Sequence, residues 1–135
     1  MIVKINKSHA RGSVLAPPSK SMAHRLLICA SLCDGKSLIK RISDCEDVIA
    51  TLDCLKAFGV KASFEADDLS IEGRRLFDAT PIKVLDAKES ASTLRFLIPI
   101  ALATGKTVMF TGAPSLMQRP MGVYQTLCKE NYSII

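Results

Sequence analysis

Arg25-Leu26-Leu27-Ile28-Cys29-Ala30-Ser31-Leu32-Cys33-Asp34-Gly35-Lys36 returns in outline seventy residues later, as Arg95-Phe96-Leu97-Ile98-Pro99-Ile100-Ala101-Leu102-Ala103-Thr104-Gly105-Lys106. Neither run carries a charge over residues 26–33 or 96–103, and apolar side chains cover almost the whole circumference. A helix of that kind is expected to be buried on all sides. Ser19 is a good N-cap for a helix over about 20–33. Asp34-Gly35 closes it, with Gly supplying the left-handed position after the last turn. Ser90 to Thr104 reads as the second such helix, closed by Gly105 and kinked by Pro99, which removes a backbone donor near Arg95. A strand follows each helix, over 36–41 and over 106–111.

Working outward, Ser43-Asp44-Cys45-Glu46 is an S-x-x-E capping box that starts a helix running to about Phe58. Val48, Leu52, Leu55 and Phe58 give that helix one apolar stripe. Residues 60–65 and 69–72 alternate around Asp67-Asp68 as a hairpin. Residues 82–85 read as a strand, Gly112-Ala113-Pro114-Ser115 as a loop, and 120–130 as a last helix with Pro at an early position. Ile2 to Ile5 and Ser13 to Leu15 read as short strands before the break at Pro17-Pro18. The pattern is one supersecondary unit duplicated around a shared core. The first unit covers about 19–85. The second, about 86–135, stops before its hairpin. Residues 1–18 form a separate N-terminal piece. The fold class is α/β (α+β), with repeated units packed around buried helices.

The 135 residues carry 18 Lys/Arg against 13 Asp/Glu, a net charge of +5, with only 5% aromatic residues and no Trp. The basic residues are dispersed, whereas nucleic-acid binders cluster them and interleave aromatics. A small anionic substrate suits a scattered excess. The longest apolar run, Phe96 to Ala103, is far short of the roughly 18 residues that cross a bilayer. No apolar h-region follows Met1, so a cytoplasmic protein is expected. Five cysteines, an odd number, without a secretory signal argue against a disulfide framework. Cys29 and Cys33 share a helix face, but neither His9 nor His24 completes a zinc site, which needs four spaced ligands.

Chemistry is suggested by Pro18-Ser19-Lys20-Ser21-Met22-Ala23-His24-Arg25. On a helix, Lys20, Ser21, His24 and Arg25 fall within about 140° of one face. Cations in a first turn oppose the helix dipole. An anion reverses that penalty and meets free N–H groups, a hydroxyl, an ammonium and a guanidinium fork. The same face also reads as an ordinary solvated helix start. The recurrence of Ser/Thr plus Arg at 92–95 favours function. Gly35-Lys36-Ser37 and Gly105-Lys106-Thr107 mimic the end of a phosphate loop, but follow a helix where that loop must follow a strand. Asp44, Glu46 and Asp47 read as helix-capping acids rather than a catalytic pair. Arg119 reads equally as an anion contact or a surface arginine.

Three motifs carry a resemblance. Pro18-Ser19-Lys20-Ser21-x-x-His24-Arg25 resembles the first signature of the 5-enolpyruvylshikimate-3-phosphate synthase family. Leu85-Asp86-Ala87-Lys88-Glu89-Ser90-Ala91-Ser92-Thr93-Leu94-Arg95 resembles the second, and Gln118-Arg119-Pro120-Met121-Gly122 the third. The related transferase acting on UDP-N-acetylglucosamine fits less well, because it has Ala-Lys-Asn where this chain has Ser19-Lys20-Ser21. The resemblance implies two domains of three βαβαββ units each, an inside-out α/β barrel, with 1–18 leading from the other domain. It implies a monomeric enzyme that moves the enolpyruvyl group of phosphoenolpyruvate to the 5-hydroxyl of shikimate 3-phosphate, without metal or organic cofactor and without nucleic-acid or membrane partners. It implies that Lys20 is catalytic and contacts both substrates, that Ser21 and Arg25 hold shikimate 3-phosphate, and that the backbone at Ala91 and the side chain of Arg119 hold phosphoenolpyruvate. Arg95 is ranked as structural or long-range. Ala91 and Lys88 stand where the family commonly has Gly. The added methyl at 91 is expected to crowd glyphosate, a slightly longer ligand, and so to make the full-length parent resistant. The third unit and the second domain, with its catalytic Asp and Glu, are absent, so this chain alone is expected not to turn over. The competing reading is a non-catalytic small-anion-binding fragment that pairs with a partner chain. An RNA-processing enzyme of similar units is disfavoured by the three motifs.

Overall fold

The computed structural model describes residues 1–75 and 84–127. The first apolar helix forms as α1, Lys20–Leu32, with the Ser19 hydroxyl accepting the Met22 N–H at 3.3 Å. Gly35 takes φ +103° just beyond it, and Gly105 takes φ +66° beyond the second helix, as the repeat predicts. Strand β1, Gly35–Ile39, leads to α2, Glu46–Ala57. Strands β2, Lys61–Glu65, and β3, Asp68–Gly73, form the hairpin. Its two-residue loop is Ala66-Asp67, one position earlier than the alternation suggested. The three strands make an antiparallel sheet in the order β1-β3-β2, with Ile39 opposite Leu69 and Leu69 opposite Phe64.

The described chain continues with β4, Val84–Asp86, and α3, Ala91–Ala103. Strand β5, Met109–Thr111, then pairs parallel with β4, with Leu85 opposite Phe110. Parallel neighbours need a crossover, and α3 is that crossover. Residues 20–73 thus run helix-strand-helix-strand-strand, and residues 84–111 run strand-helix-strand. The loop expected at 112–115 is instead the entry to a short helix, α4, Pro114–Met117. The last helix, α5, Gly122–Leu127, starts two residues later than expected. The expected strand at 82–83 and the helix end at 128–130 lie outside the described residues.

The core lies where α1 and α2 pack on the three-stranded sheet and α3 packs beside them. Leu27, Val48, Leu52, Leu55, Phe58, Leu69, Ile71, Leu85 and Leu97 are buried together there. A second cluster, Ala87, Leu94, Ile98 and Leu116, joins α3 to α4.

Three expectations are corrected. Residues 1–18 form neither strand, and Ile2, Ile5, Val14 and Leu15 are exposed. A strand is stable only with a ladder partner, and none of the described strands offers them one. The capping box does not form. The N-cap of α2 is Cys45, and the Ser43 hydroxyl accepts the Cys45 N–H at 3.3 Å, a local turn that leaves Glu46 and Asp47 in the first turn. The two apolar helices are buried on one side only. Met22, Leu26, Cys29 and Cys33 of α1, with Pro99, Leu102 and Ala103 of α3, face outward, because no described element covers that side. Residues 1–19 are also exposed throughout, and with them the chain exposes 9574 Å². A compact chain of 14.6 kDa exposes about 6,900 Å².

Candidate active site

Helix geometry explains how α1 divides its first two turns. Ala23, Leu27, Ala30 and Ser31 are buried, and they define the inward face. Lys20 projects on that same side, but one turn before the packing begins. It is therefore exposed, and its Nζ reaches across to α2, donating to Asp47 Oδ2 at 2.6 Å. That hydrogen bond, and then the charge of Asp47, raise the Lys20 pKa above its ordinary 10.5 and favour the ammonium. Ser21 and Arg25 point away from the core. Arg25 Nη1 donates to the Ser21 carbonyl at 2.7 Å, and its guanidinium stacks over the Phe96 ring at 5.3 Å. This cation–π contact ties α1 to α3 through the first residue of the second apolar run.

His24 departs from the four-residue polar face. It is only 1% exposed, turned inward under the N-terminus of α2. Its Nδ1 lies 2.7 Å from Thr51 Oγ1 on α2, whose oxygen lies 2.7 Å from Thr93 Oγ1 on α3. Thr93 Oγ1 lies 2.7 Å from Ser90 Oγ, and the Ser90 side chain caps α3 by accepting the Thr93 N–H at 3.2 Å. The second turns of α1 and α2 and the first turn of α3 thus meet along one line of hydrogen bonds. His24 Nε2 has no partner among the described residues.

Burial pushes the His24 pKa below 6.5; Asp47 opposes the shift, and Lys20 and Arg25 add to it. The fold therefore favours the neutral ring. Its contribution is fully present above pH 6.5 and is lost as pH falls through the lowered value. We expect the melting temperature of the chain to drop between pH 7 and pH 5, and His24→Gln to flatten that drop. Equal slopes for the two proteins in a thermal melt series would contradict it.

Ala91 opens α3, so its amide and that of Ser92 have no acceptor within the helix. Lys88, just before, takes φ +51°, a left-handed conformation. The turn asks for φ > 0, and Lys pays a steric cost there that Gly would avoid. The Lys88 carbonyl accepts the Ala113 N–H at 2.7 Å, which brings the segment after β5 against this turn. Tyr124 completes the anchoring. Pro99 cannot donate to the carbonyl of Arg95 four residues earlier, and the Tyr124 hydroxyl takes that carbonyl at 2.9 Å. Arg119 lies between these anchors and is exposed. The second apolar helix runs through Pro99 because a side chain from α5 satisfies the oxygen that proline frees.

Lys20, Ser21 and Arg25 are thus joined to the start of α3 by two independent contacts, the hydroxyl line and the Arg25–Phe96 stack. Thr51 was not singled out in the sequence, and neither the inward turn of His24 nor the contact of Asp47 with Lys20 was expected. The signal for Thr51 was its place on the apolar stripe between Val48 and Leu55.

A family model described as EPSP synthase (3-phosphoshikimate 1-carboxyvinyltransferase) matches residues 5–131. A 3-phosphoshikimate 1-carboxyvinyltransferase of Clostridium perfringens is 46% identical over 128 residues, covering 95% of this chain and 30% of that protein. One from Korarchaeum cryptofilum is 42% identical over 122 residues, covering 90% of this chain and 29% of that protein. Among solved structures, EPSP synthase from Acinetobacter baumannii superposes with a TM-score of 0.76 at 25% identity, over 87% of this chain and 26% of that one. The chain therefore spans about 30% of the length of the relatives it matches. With its signatures on the first turns of α1 and α3 and between α4 and α5, the chain belongs to the EPSP synthase (3-phosphoshikimate 1-carboxyvinyltransferase) family.

Proposed function

We propose that this chain supplies one wall of the substrate cleft of a cytoplasmic, monomeric 3-phosphoshikimate 1-carboxyvinyltransferase. The reaction forms a bond between the 5-hydroxyl oxygen of shikimate 3-phosphate and the enol carbon of phosphoenolpyruvate, then releases phosphate from that carbon. Ser21 and Arg25 hold shikimate 3-phosphate. The Ala91 amide and Arg119 hold phosphoenolpyruvate. Lys20 touches both and offsets the charge of the tetrahedral intermediate. The observation that carries this reading is the linkage of α1 through α2 to the first turn of α3, which joins two clusters of anion-seeking groups about 70 residues apart in sequence. The scattered +5 charge fits two small anions better than nucleic acid or a membrane surface. Proton transfer at the enolpyruvyl carbon needs positioned acid–base groups, which the resemblance puts in the remainder of the full-length enzyme.

The test is a chimera in which this chain replaces the matching part of the Clostridium perfringens relative. We expect the chimera to turn over both substrates and the 135-residue chain alone to be inactive. A folded chimera without turnover, or turnover by the chain alone, contradicts the reading. In the same chimera Ala91→Gly should increase glyphosate inhibition about 10–200-fold, the range that one methyl group in a tight pocket commands. Equal inhibition of the two proteins would remove Ala91 as the source of resistance.

A further inference from the structure

Thr51 is fully buried on the face of α2 that carries Val48, Leu52 and Leu55. A hydroxyl there costs stability unless every bond is made, and valine would fill the same volume without that cost. The bonds are made, and all of them lead to the ends of helices. The Thr51 oxygen meets His24 Nδ1 of α1 and Thr93 Oγ1 of α3, each at 2.7 Å. Thr93 passes the line to Ser90, the N-cap of α3, at 2.7 Å. Both threonine hydroxyls also approach the Asp47 carbonyl, at 3.2 and 3.4 Å, and the Asp47 carboxylate in turn holds Lys20. Apolar packing presses helices together but lets them slide by fractions of a turn. Short directional bonds set register.

We propose that Thr51 is a positioning residue for the anion site: its hydroxyl locks the N-terminal halves of α1, α2 and α3 in one register, and so sets the spacing between the Lys20–Arg25 group and the Ala91 amide. The inference rests on the reading of that cleft given above. It assigns to Thr51 no contact with either substrate. The two ends that receive the two anions are held at a fixed separation by a side chain behind them, on a third helix.

The test is amide NMR of the full 135-residue chain as wild type, Thr51→Val and Thr51→Ser, with inorganic phosphate as the probe. Without phosphate, Thr51→Val shifts the amide signals of residues 20–23 and of residues 91–93 together, and Thr51→Ser leaves both near their wild-type positions. With phosphate, Thr51→Val binds at least about fivefold more weakly at both helix ends, the loss of one directional contact, and Thr51→Ser binds like the wild type. A residue that only held the core together would lower the melting temperature of Thr51→Val without changing the Kd measured well below it. The proposal is overturned if folded Thr51→Val keeps wild-type signals at 91–93, or binds phosphate as the wild type does. If Thr51→Val does not fold, Thr93→Val cuts the same line one link further on and is judged by the signals of residues 20–23. A wild-type chain that binds no phosphate at either end refutes the cleft reading instead, while the phosphate-free shifts still decide the coupling.

Discussion

Lys20→Ala in the chimeric transferase should lower kcat/KM by about a hundredfold or more, with little change in melting temperature. Lys20 is 55% exposed and makes one ion pair, with Asp47, so its removal costs the fold little. Its charge is worth far more in the reaction. Removing one preorganised group aimed at developing charge costs about 100–1,000-fold in rate. Here the loss is compounded, because the Asp47 carboxylate remains in a cleft that must admit two anions. Lys20→Arg should not rescue the defect, since the planar fork cannot reproduce a compact ammonium 2.6 Å from Asp47. Asp47→Asn should do less damage, because it leaves the ammonium in place. Steady-state kinetics of the three variants provides the check. A Lys20→Ala enzyme within threefold of the parent would remove Lys20 from the mechanism.

Phe58→Ala should abolish cooperative unfolding of the 135-residue chain. Phe58 ends α2, is 1% exposed, and belongs to the cluster that joins α1, α2 and the three-stranded sheet. A phenylalanine deletion in a core costs about 3–5 kcal/mol. Single domains hold only about 5–15 kcal/mol in total. This chain stands near the lower end, because one side of α1 and of α3 lies open. Thermal and urea melts followed by circular dichroism measure the effect. A melting temperature within a few degrees of the wild type would show that the sheet and α2 do not carry the stability. The same substitution in the chimera should be milder, since the remaining units cover the open faces.

Local rules account for much of what forms. The Ser19 cap, the left-handed glycines at 35 and 105, the hairpin and the stripe of α2 appear where side-chain chemistry and periodicity place them. Signals fail where they need a partner that local sequence does not specify. Ile2–Ile5 alternates well enough for a strand, yet no described strand pairs with it. Ser43 and Glu46 have capping-box spacing, but α2 starts two residues later and sends Asp47 to Lys20. Pro99 marked a helix fault, while the group that repairs it, Tyr124, lies on another helix.

The candidate site divides in the same way. Lys20, Ser21 and Arg25 are candidates from the polar face of one short run, and Ala91 and Arg119 only from the resemblance of their motifs to the family's signatures. The motifs could not tell that His24 turns inward, that Asp47 holds Lys20, or that Thr51 and Thr93 join the helices from behind. Helical periodicity gives the direction of a side chain around its own axis. Which of those directions becomes interior depends on where the neighbouring helix ends, and that is a property of the packed molecule.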